Sequence, residues 1–146
     1  MVLAIGTDEY GLDSEGLVAL KDGTFWVSDE YGPHLVHFNS EGLEIDRINA
    51  YKQDERCKSG YFLPNEFANR KQNRGMEGLT ITPDQKKLVG IMQSTMSNPD
   101  SSVTTSDLVR IVVVNLDDGS IEQYLYRQEL KSNSNTAIVA LSETCF

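Results

Sequence analysis

One thirteen-residue stretch occurs twice in this chain. EGLVALKDGTFWV, Glu15 to Val27, aligns without a gap on EGLTITPDQKKLV, Glu77 to Val89, 62 positions later. Glu15, Gly16, Leu17, Asp22 and Val27 meet identical residues at Glu77, Gly78, Leu79, Asp84 and Val89. A weaker third copy, IVALSETCF (Ile138 to Phe146), lies over Leu17 to Phe25, with Thr136-Ala137 in place of Glu-Gly. A repeat at a fixed period means one supersecondary unit used several times, and it limits the architecture more than local propensity does.

Within each copy the unit reads as strands. Leu17 to Leu20 is a short apolar run, Asp22-Gly23 a hairpin turn, and TFWVS (Thr24 to Ser28) is rich in aromatic and β-branched residues. HLVHF (His34 to Phe38) follows Gly32-Pro33, and LEIDRI (Leu43 to Ile48) alternates after Glu41-Gly42. The second copy repeats the layout with Leu79 to Thr82, Lys87 to Met92, Leu108 to Leu116, a turn at Asp118-Gly119, and Ile121 to Tyr126. NEFANRKQ (Asn65 to Gln72) reads as loop, with room for a helical turn or two.

Four antiparallel strands repeated at this spacing are the signature of a β-propeller blade. The expected fold is all-β and propeller-like. Two four-stranded antiparallel blades fall at about 15–49 and 77–127, an insertion at 50–76, and the start of a third repeat at 136–146. Propellers have roughly four to eight blades, so the ring is incomplete and the chain reads as part of a longer domain. Uncovered blade edges predict self-association. An open sandwich of two sheets is the alternative.

The residues that carry the repeat also carry a resemblance. GLDSEGLVALKDGTFWVSDEYGPHLVHFNSEG (Gly11 to Gly42) and NRGMEGLTITPDQKKLVGIMQS (Asn73 to Ser94) resemble the two characteristic segments of the phytase-like family, called esterase-like activity of phytase. YLYRQE and TAIVALSE resemble weaker continuations. The resemblance implies a β-propeller in an exported or envelope-associated protein. It also implies hydrolysis of phosphate esters or related esters, by relation to calcium-dependent propeller phytases.

The residues support a cation on their own terms. First strands of propeller blades line the central channel. Glu15 and Glu77 begin equivalent strands, so their carboxylates are expected to converge, with Asp29 and Glu30 at the same or an adjoining rim. Converging carboxylates repel unless a cation or protons intervene, and oxygen ligands alone favour calcium, with magnesium the lesser candidate. Hydrogen bonding between blades, or plain exposure of the acids, stands as the alternative.

Arg74, three residues before Glu77, is placed to grip a phosphate bidentately; its structural alternative is an ion pair with Glu77 or Asp29. Arg70, Lys71 and Lys58 make the insertion locally basic, as an anion entrance or a solvated loop. His34 and His37 lie three apart in a strand and so face opposite sides. His34 is a candidate acid or base beside the SDEYGP turn, or else an ordinary surface histidine. Trp26 is expected to pack between blades. No GxSxG elbow occurs, so a serine esterase is not supported.

Composition narrows the partners. A formal net charge of -9 argues against nucleic acid or an anionic membrane and is compatible with a cation-binding site. No run approaches membrane-spanning length, so no membrane insertion is expected. MVLAIGTDEY lacks the basic and apolar regions of a signal peptide, which leaves localisation open. Cys57 and Cys145 show no CxxC spacing and so indicate neither zinc nor a redox motif, although an oxidising compartment would let them pair. The partner expected is a small phosphate or ester substrate. Metal-assisted hydrolysis competes with a non-catalytic ligand-binding propeller carrying structural calcium, and with an inactive fragment.

Overall fold

The computed structural model describes residues 11–146, the side chain of Thr104 excepted; the signal-peptide expectation lies outside the described residues. Two antiparallel four-stranded sheets make up the fold. The first runs β1 (Ser14–Ala19), β2 (Phe25–Asp29), β3 (His34–Phe38) and β4 (Glu44–Asn49) in sequence order. The second runs β5 (Met76–Ile81), β6 (Lys87–Met92), β7 (Leu108–Asn115) and β8 (Ile121–Arg127) in the same way. The fold is all-β, as the strand pattern predicts, and the two sheets do not close on themselves. Asn65–Asn69 forms one 3-10 turn in the stretch read as loop, and Ser101–Thr105 forms another.

The main core joins the sheets. Trp26, Leu35 and Ile48 of the first pack with Met76, Leu79, Leu88, Met92, Val112 and Val114 of the second. The insertion contributes Leu63 and Phe67 to the same cluster, so it is a packed segment rather than a bare linker. Trp26 lies between the sheets as expected, 3% exposed. A second cluster covers the other face of the second sheet: Val89, Ile91, Val109, Ile111 and Val113, against Ile138 and Phe146. Tyr124, Leu125 and Tyr126 on β8 stay exposed.

The glycine of each Glu-Gly pair has a packing reason. A Cβ on Gly16 would come 2.6 Å from Leu79 Cβ and 2.8 Å from Leu79 N, so only glycine lets β1 lie this close to β5. A Cβ on Gly78 would come 3.0 Å from both Ala137 C and Ile138 N. The same contact therefore recurs one copy further along. Residues 136–146 form no strand with either sheet, yet they repeat a turn bond of the first copy. Leu141 N donates to Cys145 O at 2.7 Å, as Leu20 N donates to Thr24 O at 2.8 Å.

The gapless alignment of the first two copies needs a correction. Ala19 pairs with Phe25 across the first hairpin, six positions on, whereas Ile81 pairs with Leu88, seven positions on. The second turn holds one extra residue, with Gln85 in the left-handed region (φ 63°) where the first uses Gly23 (φ 88°). Beyond the turn Trp26, not Val27, corresponds to Val89. By the same step Glu30 corresponds to Gln93.

Candidate functional site

Both Glu-Gly pairs enter their sheets through a β-bulge. The β1–β2 register shifts between Ser14 and Leu17, and the β5–β6 register between Met76 and Gly78. A bulge re-aims side chains locally, and here it frees Glu15 and Glu77 from strict alternation at one end of two adjacent strands. Gly75, just before β5, lies against the backbone of the β2 end: a Cβ there would overlap the Glu30 carbonyl and stand 2.8 Å from Asp29 O. The close approach brings the NRGMEG segment onto the SDEYGP rim.

Asp13, Glu15 and Glu30 converge there, each with a carboxylate oxygen within 4.8 Å of the others'. Glu30 is 7% exposed, and Asp13 and Glu15 are open to solvent. Glu77 adjoins the group. Burial pushes its pKa up, and Glu15 and Glu30 reinforce the shift while a Gln93 hydrogen bond opposes it. Glu15, Glu30 and Glu77, three of the four acids expected to converge, are thus neighbours. Asp13 is a member that the sequence reading missed, although Asp13 and Glu15 are two apart in extended chain and so share a face.

Asp29 occupies a different place. It is fully buried behind the cluster, where Oδ1 accepts from Asp13 N (2.7 Å) and Tyr31 N (3.1 Å), and Oδ2 from Gly32 N (2.7 Å). Glu30 N in turn donates to Asp13 O at 2.9 Å. Asp29 therefore fixes the backbone that carries Asp13 and Glu30. Burial raises its pKa, against the three N–H donors and Arg70.

Gln93 ties the sheets together at this point. Its Nε2 donates to Glu30 Oε1 at 2.7 Å and also to Glu77. Its Oε1 accepts from Arg74 Nη1 at 3.1 Å, and Arg74 Nη1 also reaches Ser134 Oγ at 3.3 Å. Arg74 is joined to the acids through an amide, and no Arg74–Glu77 or Arg74–Asp29 ion pair occurs among the described residues. The guanidinium stays at the exposed mouth of the site.

His34 is not the surface histidine of one reading. It is 2% exposed, with Nε2 3.9 Å from Asp29 Oδ2 and its ring 5.9 Å from that of Tyr51. Burial, then Arg47, lower its pKa to about 3, so it is neutral at physiological pH. His37 faces the opposite side, as expected, stacked on Trp26 at 4.4 Å. Arg70 caps the SDEYGP turn by donating Nε to Tyr31 O at 2.6 Å, and Lys58 Nζ donates to Glu55 O at 2.5 Å. Cys57 and Cys145 are free thiols, and burial pushes Cys57 up to about 11.

The donor set fits a hard divalent cation: carboxylate oxygens from Asp13, Glu15 and Glu30, with no imidazole or thiol among them. An arginine stands one side chain away. Such an arrangement can hold a metal beside an anion.

The chain is similar to an uncharacterized secreted protein of Arthroderma benhamiae, 36% identical over 110 residues. The similarity takes in 64% of this chain and 22% of that protein, so the chain spans about a fifth of the relative it matches. The family model for esterase-like activity of phytase matches residues 5–146, taking in the bulged Glu-Gly pairs, the SDEYGP rim and Gln93 alike. The chain belongs to the phytase-like family.

Proposed function

We propose that this chain supplies the metal-holding part of a calcium-assisted hydrolase of phosphate esters or related esters, as two blades and the start of a third in a longer propeller. The observation that carries the proposal is the convergence of Asp13, Glu15 and Glu30 within 4.8 Å, with Glu77 beside them. Four acids so close are costly without a counter-charge. The recurring glycine contacts, Gly16 on Leu79 and Gly78 on Ile138, support the propeller reading, because each copy meets the next in one way. The family's name supports ester hydrolysis, and the relative's name as a secreted protein supports export.

Asp13, Glu15 and Glu30 would hold the ion, calcium before magnesium, with Glu77 as a further ligand. A bound cation supplies Lewis acidity toward a phosphoryl oxygen and lowers the pKa of a coordinated water. Arg74 would grip the phosphate, and Gln93 would hold Arg74 in line with the acids. Asp29 orders the backbone behind them. His34, buried and with its pKa near 3, is a weak base and has no part in this reading.

A second reading has its own observation. Gln93 already satisfies Glu30 across the sheets and Glu77 within its own sheet, so these acids also serve as structural hydrogen-bond acceptors, as in a non-catalytic binding propeller. Thermal unfolding in calcium, in magnesium and in EDTA separates the two. The metal reading expects a cooperative melt that rises with calcium, rises less with magnesium, and loses the rise in Glu15→Gln and Glu30→Gln. A melt indifferent to calcium would leave the acids a structural role.

A further inference from the structure

A row of side chains crosses the first sheet on the face turned toward the second. Trp26 pairs with His37, and His37 with Asp46, on three adjacent strands. With Ile48, Tyr61 and Leu116 this row lines a cavity of about 290 Å³ between the sheets. The cavity lies toward the turn end of β1 and β2, away from the acidic cluster at their other end. That volume is close to the lower limit of small-ligand sites, about 300 Å³.

Its chemistry is one-sided. Asp46 Oδ1 accepts from three backbone N–H groups, of Arg47, Lys58 and Ser59, at 2.7–3.1 Å. Those bonds pin the carboxylate in place and leave Oδ2 with no hydrogen bond among the described residues. Trp26 and Tyr61 supply aromatic wall, and the lining holds no lysine or arginine. His37 Nε2 is engaged by Thr24 Oγ1 at 2.8 Å, and burial lowers its pKa against Asp22 and Asp46, so the imidazole brings no competing positive charge.

We infer that this inter-sheet cavity binds a small organic cation, a protonated amine with an apolar body, through the Asp46 carboxylate and the Trp26 and Tyr61 rings. A preset carboxylate recognises the ammonium, aromatic faces attract a cation once it is desolvated, and Ile48 and Leu116 cover the hydrocarbon.

Trp26 is the single tryptophan of the chain, so its emission reports on this cavity alone. Phenethylammonium is titrated into the full chain, with 2-phenylethanol as the uncharged probe of similar shape. The expected result is a saturable change in Trp26 emission with the amine, at least roughly tenfold stronger than with the alcohol. Asp46→Asn keeps an oxygen for the three N–H groups and is expected to weaken amine binding by about tenfold or more while leaving the alcohol unchanged. Tyr61→Leu is expected to weaken the amine more than the alcohol, and it serves if Asp46→Asn fails to give the wild-type melt. Equal response to amine and alcohol, no saturable response, or an unaltered amine affinity in a folded Asp46→Asn protein would overturn the inference.

Discussion

Gln93 reaches from the second sheet to Glu30 of the first, its amide nitrogen 2.7 Å from the carboxylate Oε1. The two residues hold equivalent positions just beyond the second strand of each sheet, so a pair related by the repeat also bridges it. Where the first copy presents an acid, the second presents the group that can neutralise part of its demand for donors.

That bridge predicts the effect of Gln93→Leu. Glu30 is almost buried, and without the amide it loses a donor while keeping three acidic neighbours, Asp13, Glu15 and Glu77. Urea unfolding in EDTA at pH 7 is expected to show a loss of about 1–3 kcal/mol, the range for a buried polar group left unpaired. The loss should shrink toward pH 4, where protonation of Glu77, whose pKa burial raises, relieves part of the repulsion. An equal loss at both pH values would mean that packing, not the acid pair, dominates.

Glu77 gives a pH dependence with a definite sign. Its pKa is raised in the folded protein above the ordinary 4.5, so folding takes up protons at this group. Its contribution is most favourable below pH 4.5 and is lost as pH rises through the raised value. In EDTA, the difference in melting temperature between wild type and Glu77→Gln should therefore move in favour of the variant as pH rises from 4 to 7. The difference between the two proteins isolates Glu77 from Asp29, also raised, and from Asp54 and Glu66, which are lowered.

Asp29 and Glu30 should separate as support and ligand despite being adjacent. Asp29→Ala leaves the N–H groups of Asp13, Tyr31 and Gly32 without their acceptor and is expected to cost about 2–4 kcal/mol in urea unfolding. Asp29→Asn, which keeps an oxygen for two of the three, should cost less and retain most of the calcium-induced rise in melting temperature. Glu30→Gln should lose the rise with little change in EDTA. The reverse pattern would make Asp29 the ligand.

Gly16→Ala tests the close approach of β1 and β5. The added methyl would stand 2.6 Å from Leu79 Cβ and 2.7 Å from Ser28 Oγ, and Leu79 N blocks retreat. A destabilisation of about 1–3 kcal/mol is expected, the usual cost of overpacking, measured by urea midpoint. A neutral result would mean that the sheets shift apart freely.

Much of the fold is legible in the sequence because strand alternation and turn residues act locally. The eight strands fall where Leu17, Phe25, His34 and their counterparts place them. Half of the site was legible for a similar reason: Glu15 and Glu77 share a position in the repeat, and the end of β2 puts Glu30 at a rim. The rest depends on register. The period of two in a strand sends Asp29 and Glu30 to opposite sides, so one turns inward behind the other. Gln93 stayed hidden because one extra residue in the Pro83–Lys86 turn displaces every later match by a position. The burial of His34 is tertiary, set by the Tyr51 ring beyond β4 and by the strands around it.

That longer turn sets a rule for transplanting one copy into the other. A graft replacing residues 25–30 must carry residues 88–93, because the strand pairing and not the matching letters defines the equivalent piece. Taking 87–92 would turn every side chain of the inserted strand to the opposite face, setting Lys87 in the place of Phe25 beside Phe38 and Leu88 in the place of Trp26. Joints cut inside the turns, where the two copies already differ in length, would leave both strands intact.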